Sequence, residues 1–149
     1  MAFEMAGQVS WAHLDTNGHM ANTAYLDIAV DARFQYFFAC GITPDDFARM
    51  RIGPVVQRDE VDYFKELRFL QSVKADFTLA GISRDASRYR IRNEIRRSDD
   101  VLCARVTTLG GWFDLTLRKL IAPPDKLVEA LHALPHTDDF VALETSIKA

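Results

Sequence analysis

Asp15-Thr16-Asn17-Gly18-His19-Met20-Ala21-Asn22 runs directly into Thr23-Ala24-Tyr25-Leu26-Asp27-Ile28-Ala29-Val30-Asp31-Ala32-Arg33-Phe34-Gln35-Tyr36-Phe37-Phe38-Ala39-Cys40, and the fold turns on this junction. From about Asn22 to Cys40 the spacing predicts one long helix. Thr23, Asp27, Asp31 and Gln35 recur every four residues as a single polar stripe, and nearly everything else is apolar. Such a helix is expected to expose a narrow face and to be enclosed elsewhere. Arg33 lies nearly opposite the stripe, so it is expected to point inward. An ion pair with a strand acid is the expected partner, because an unpaired buried charge is expensive.

Outward from the junction, Phe3 to Trp11 reads as a first strand with Gly7 as its weak point. Gly41 suits a C-cap, and Thr43-Pro44 suits the N-cap and first position of a short second helix. After Gly53-Pro54 the period changes to two. Val61, Tyr63, Leu67 and Phe69 share one face of a long strand, with Glu60, Asp62, Phe64 and Glu66 on the other. Val73, Ala75, Phe77 and Leu79 alternate with Lys74, Asp76 and Thr78 in the next. Tyr89, Ile91 and Ile95 then alternate with Arg88, Arg90, Arg92, Glu94 and Arg96. Ser83–Ser87 and Ser98–Asp100 read as hairpin connections, the second leading into Val101–Trp112. Pro123-Pro124 stops the last extended piece, Asp125 to Leu134 reads as a terminal helix, and Pro135 onward carries no clear signal. The economical arrangement is α+β: one antiparallel sheet curled around one central helix, in a single domain over 1–149.

The chain has 149 residues, 48% hydrophobic and 26% charged, which suits one globular domain rather than a disordered chain. A net charge of -3 offers no basic footprint, so no nucleic acid is expected as a partner. Cys40 and Cys103 stand alone without metal-ligand spacing, and two buried thiols in a reducing compartment are expected. No charged segment followed by an apolar one opens the chain, and no apolar run reaches membrane-spanning length. A cytoplasmic protein without a membrane partner is the expectation.

The turn carries the candidate chemistry. Asp15 is placed to act as general base or nucleophile beside the helix start. The N–H groups around Met20 to Asn22 are placed to hold a developing oxyanion. Asn17 and His19 would orient a water or the substrate. Asp and Asn are equally common at turns because they cap backbone N–H groups, so the turn reads as either a capping device or a catalytic one.

The stretch Asp15 to Tyr25 resembles the signature of the hotdog-fold thioesterases, in the 4-hydroxybenzoyl-CoA thioesterase-like group, and its D-x-N-x-H spacing is similar to that of the acyl-ACP thioesterases. The Arg33 helix region, the Gly53-Pro54 strand entry and Gly110-Gly111-Trp112-Phe113 sit where that family would place them, so the resemblance covers roughly residues 3 to 124. It implies a hotdog fold, hydrolysis of an acyl thioester, and no metal or redox cofactor. It matches Asp15 to the catalytic aspartate, the Asn22 backbone N–H to the oxyanion contact, and Asn17 and His19 to assisting groups. Many relatives carry two Asn residues before the helix, where this chain has Ala21-Asn22. The resemblance also implies active sites between subunits, hence a homodimer or homotetramer.

Around this centre, Gly18, Met20, Tyr25, Arg58 and Glu66 are candidate substrate contacts. Arg88 and Arg90 belong to an arginine face that would either meet coenzyme A phosphates or stay a solvated strand face. Glu60 or Glu66 is an alternative source of the carboxylate. The substrate expected is an acyl-CoA or an acyl carrier protein thioester. The alternatives are a hotdog dehydratase or hydratase, and a non-catalytic acyl-CoA-binding protein.

Overall fold

Alternating apolar residues in the second half of the chain can be buried on one side only, and the structure buries them against a single helix. In this computed structural model, residues 2–147 are described. The elements run β1 (Glu4–Gln8), a 3-10 turn (Trp11–His13), α1 (Ala24–Ala39), α2 (Pro44–Met50), β2 (Ile52–Tyr63), β3 (Ser72–Asp76) and β4 (Thr78–Ser83). They continue with β5 (Arg88–Arg97), β6 (Leu102–Asp114), β7 (Lys119–Ile121), α3 (Asp125–His132) and β8 (His136–Leu143). All strands join one sheet. β6 flanks β5 on one side, and β3 and β4 share the other; β1 lies outside β3, β8 outside β4, and β2 outside β6. Every pairing is antiparallel except β4 with β8.

Tyr89, Ile91, Asn93 and Ile95 alternate as the buried face of β5. Against the sheet α1 buries Ala24, Tyr25, Ile28, Ala29, Ala32, Arg33, Tyr36 and Phe37. Ala29 and Ala32 are fully buried, and their lack of bulk lets the helix axis approach the strands. The core divides along α1. Its first half packs on Val73, Ile95 and Val106. Its second half enters an aromatic cluster of Phe37, Phe77, Tyr89 and Trp112, closed by Leu127 and Leu131 of α3. Each such large side chain contributes about 1.5–3 kcal/mol by burial. The α+β hotdog architecture expected from sequence is the one observed.

Several expectations change. The long strand expected through Phe69 ends at Tyr63, because the Phe64 and Lys65 N–H groups both donate to Cys103 O and turn the chain away. The strand from Val73 to Leu79 divides into β3 and β4 around Phe77. Asp76 Oδ1 accepts the Glu94 N–H at 2.6 Å, and Asn93 Nδ2 donates to Asp76 O at 2.6 Å, pinning the break to β5. β8 forms from a segment that carried no signal. Cys103 is buried as expected, but Cys40 is exposed at the end of α1.

Two corrections concern α1. Its exposed face is not narrow: Val30, Phe34 and Phe38 lie bare beside the polar stripe, with Phe38 62% exposed. One concave sheet covers only part of a helix that is apolar almost all round. Arg33 is buried as expected, yet among the described residues no carboxylate oxygen lies within salt-bridge reach. Its Nε donates to Asn93 Oδ1 and its Nη2 to Thr108 Oγ1, each at 2.8 Å. Thr108 Oγ1 in turn donates to Asp59 Oδ1 across the β2–β6 pair, which leaves the acid one hydroxyl away.

Burial pushes the Asp76 carboxyl up from 3.8 to about 6, and the Glu94 N–H bond only partly opposes it. The folded state therefore holds this proton more tightly than the unfolded chain. The stabilisation is complete below the unfolded value and is lost as pH rises through about 6. Asp76→Asn, which keeps an acceptor without the charge, is expected to remove a fall in stability on the order of 2–3 kcal/mol between about pH 4 and pH 7, read by urea unfolding of both proteins across that range.

Candidate active site

Backbone hydrogen bonds shape the turn. Leu14 and Met20 pair as an isolated bridge, the Asp15 N–H donates to His19 O at 3.0 Å, and the Gly18 N–H donates to Asp15 O at 3.2 Å. Gly18 adopts φ +82°, a left-handed conformation that a side chain would disfavour. Asp15 Oδ1 accepts the Asn17 N–H at 2.8 Å, so the capping reading holds for one oxygen. Oδ2 has no hydrogen-bond partner among the described residues, which leaves it available to a ligand or a water.

The donors at the helix start divide into used and unused. The Met20 N–H donates to Leu67 O at 2.7 Å and the Ala21 N–H to His13 O at 2.8 Å. The Asn22 and Thr23 N–H groups have no partner among the described residues. Thr23, the N-cap, has helical backbone angles and its side chain caps nothing. The oxyanion donors expected over Met20 to Asn22 therefore reduce to Asn22, joined by Thr23, at the positive end of a 16-residue helix.

Asp15, His19, Met20, Asn22, Tyr25 and Glu66 line one open cavity of about 330 Å³. Its remaining wall is Tyr63, Phe64 and Lys65, which the sequence reading did not place at the site. Leu67 and Phe69 carried that reading past the end of β2, although Phe64-Lys65 breaks the alternation just where the Cys103 O contacts turn the chain. Tyr63 Oη donates to Asn22 O at 2.9 Å and so holds the peptide next to the free N–H groups. The Tyr25 and Tyr63 rings meet edge to face at 5.3 Å. Burial, with Cys103, Tyr63 and Glu66 nearby, pushes the Tyr25 hydroxyl up to about 12, so it stays neutral.

His19 Nε2 lies 3.2 Å from Glu66 Oε2, and Arg68 Nη2 donates to Glu66 Oε1 at 2.7 Å. The Arg68 guanidinium first, and His19 second, hold the Glu66 carboxyl below its usual range. Glu66 is thus a charged partner of His19 rather than a proton-holding acid.

Other expected contacts lie elsewhere. Asn17 and Gly18 belong to the turn but do not line the cavity. Arg58 is exposed on β2 and pairs with Glu60 at 3.1 Å, outside the cavity. Tyr63 registers with Ala104, and Ala104 with Ile95, so the turn adjoins the Ile95 end of β5. Arg90 and Arg88 lie roughly 17 and 23 Å further along that strand at its ordinary rise. Nor is the arginine face bare: Arg92 binds Asp139 of β8 through both Nη atoms at 3.0 and 2.9 Å, and Arg90 lies 3.6 Å from the same carboxylate. Among the described residues no group of three or more His, Cys, Asp or Glu side chains is placed to hold a metal.

The sequence model of the thioesterase-like superfamily matches residues 9–131. The chain belongs to this superfamily. No functionally curated protein matches it. Among solved structures, a 1,4-dihydroxy-2-naphthoyl-CoA thioesterase from Synechocystis is 18% identical with a TM-score of 0.79, over 90% of this chain and 98% of that one. A DHNA-CoA thioesterase from Staphylococcus aureus is 20% identical with a TM-score of 0.78, over 87% of each chain. A hypothetical protein from Staphylococcus aureus, solved in complex with CoA, is 15% identical with a TM-score of 0.80, over 89% of this chain and 82% of that one. At these identities the likeness is one of fold. The match to the thioesterase-like superfamily spans the turn, the helix start and the opposite wall of the cavity.

Tyr63→Phe removes one exposed hydrogen bond and no packing volume. We expect a loss of about 1 kcal/mol in urea unfolding with the far-ultraviolet circular dichroism unchanged. An unaltered midpoint would mean that the Asn22 peptide is held without it.

Proposed function

We propose that this protein hydrolyses the thioester of an acyl-CoA, releasing a free carboxylic acid and coenzyme A. The observation that carries this reading is the pairing, on one cavity, of a carboxylate oxygen and a backbone N–H that are both without partners among the described residues, Asp15 Oδ2 and Asn22 N. Asp15 Oδ2 takes a proton from a water as the water oxygen bonds to the thioester carbon. The carbonyl oxygen becomes an oxyanion that accepts the Asn22 and Thr23 N–H groups. Collapse breaks the C–S bond, and the proton passes from Asp15 to the departing sulfur. His19, held by Glu66, orients the water or the substrate, while Lys65 on the cavity wall offers a cation to the phosphates of the carrier.

Two surfaces support a homodimer as the working unit. β2 pairs with β6 alone among the described residues, so its outer edge is open. The bare Val30, Phe34 and Phe38 stripe is the kind of apolar surface that a partner covers. This reading also sets the protein in the cytosol, where two unpaired thiols stay reduced. No helix among the described residues is long and apolar enough to cross a membrane.

Thiol release from a panel of acyl-CoAs tests the activity. Asp15→Asn is expected to lower kcat by about 10²–10⁴-fold with little change in KM. Equal release by both proteins on every substrate would sink the proposal. The His19–Glu66 contact favours one second reading, a hydratase that moves protons with a histidine and a carboxylate. Hydration of an enoyl-CoA without thiol release would establish it instead.

Light scattering after gel filtration is expected to give at least twice the 16.9 kDa chain mass. A single-chain mass at micromolar concentration would refute the dimer and leave the chemistry of the turn untouched.

A further inference from the structure

A second cavity of about 330 Å³ lies farther along the same helix and shares no lining residue with the first. Its walls are apolar: Val30, Phe34 and Phe37 of α1, Pro54 and Val56 of β2, and Trp112 of β6. One charged residue lines it, Arg33, which is only 6% exposed. Arg33 stands eight residues beyond Tyr25, roughly 12 Å along the helix axis.

The surroundings of Arg33 leave its charge uncompensated. Its two hydrogen bonds go to neutral acceptors, the Asn93 amide and the Thr108 hydroxyl. The remaining nitrogen, Nη1, has no partner among the described residues. It is not sealed off either, since the one fully buried unpaired side-chain atom among them is Trp112 Nε1. Burial lowers the pKa of the guanidinium, and Tyr89 first, then Asp59, which is reached only through Thr108, partly offset this. A cation held in an apolar wall without a direct counter-ion costs several kcal/mol, and an anion seated beside Nη1 would offset that cost. The anion would arrive on an apolar body, because apart from Arg33 itself, the Tyr89 hydroxyl and the Trp112 indole N–H the cavity lining is hydrocarbon. At this volume the cavity is at the small end of ligand sites.

We propose that this cavity binds a monocarboxylic acid with an apolar body, its carboxylate on Arg33 and its chain against Val30, Phe34, Phe37 and Trp112. Binding needs no hydrolysis, so the site stands apart from the thioesterase reading. If both hold, the ligand belongs to the class of acid that the reaction releases, and the cavity makes activity sensitive to its own product.

Calorimetry with decanoate as the probe and decanol as its uncharged counterpart tests the site. Wild type is expected to bind decanoate saturably and at least tenfold more tightly than decanol. Arg33→Met, close in volume and checked for folding by circular dichroism, is expected to erase that preference. Val30 also belongs to the stripe assigned to the subunit contact, so Val30→Trp, which blocks the rim and leaves Arg33 intact, is expected to weaken both ligands with the mass in light scattering unchanged. Asp15→Asn is expected to bind decanoate as wild type does, even if no thioester is ever hydrolysed. Equal affinity for acid and alcohol, absence of saturable decanoate binding, or loss of binding in Asp15→Asn would each overturn the proposal. So would Arg33→Met splitting a dimer that never takes up decanoate, because Arg33 would then serve a subunit contact.

Discussion

A buried arginine with only neutral partners determines how the helix lies on the sheet. A guanidinium inside an apolar core is tolerated only where oxygen acceptors meet it at hydrogen-bond distance. Those acceptors, Asn93 and Thr108, sit on the neighbouring strands β5 and β6. Asn93 is engaged a second time, through its Nδ2, by the backbone at the β3–β4 break. One node therefore joins the helix, two central strands and the bend that lets the sheet curl. A rotation of α1 by even one residue would strand the charge, so the helix has one permitted face. Ala29 and Ala32 then close against the strands without leaving a gap.

That rotation sets both functional regions of α1. At its beginning the free N–H groups of Asn22 and Thr23 meet a turn whose acid is half-used, one Asp15 oxygen capping Asn17 and the other left over. The positive helix end favours negative charge at this spot, the Asp15 carboxylate included. Around it, Glu66 lies between His19 Nε2 and the Arg68 guanidinium, which hold its carboxylate in place. Farther on, the same rotation presents Arg33 to an apolar cavity and leaves Val30, Phe34 and Phe38 uncovered. A helix that is apolar nearly all round has more surface than one concave sheet can bury. The surplus lies beside the edge of β2 that pairs with no other described strand.

Much of this was readable along the chain. The four-residue recurrence from Thr23 to Gln35 marked the helix, and alternation marked β5, because each pattern follows from the geometry of a single element, while Val101–Trp112 was marked by the turn before it. The D-x-N-x-H spacing marked the turn. The end of β2 was legible only as a break at Phe64-Lys65, an apolar residue on the polar face and a cation on the apolar one; Leu67 and Phe69 resume the pattern beyond it, and the Cys103 carbonyl is what turns the chain there. β8 was not readable, since its mostly exposed residues carry no periodic signal and it is held by β4 and by Asp139 on the arginine face. The arginines of β5 read as a free basic face for the same reason: their acid arrives from a strand over 40 positions later.

Sequence alone determined the helix, the strands, the turn and the type of chemistry the turn could support, because these rest on local spacing and on which side chains stand together. Tertiary structure decided which groups remain free. That Asn22 rather than Met20 keeps an unused N–H, that Arg33 faces a cavity instead of an acid, and that Arg88 and Arg90 lie a strand's length from the turn are all results of long-range pairing. Hydrogen bonds and ion pairs are exclusive. Whether a group is available to a ligand depends on what the rest of the folded chain has already brought to it.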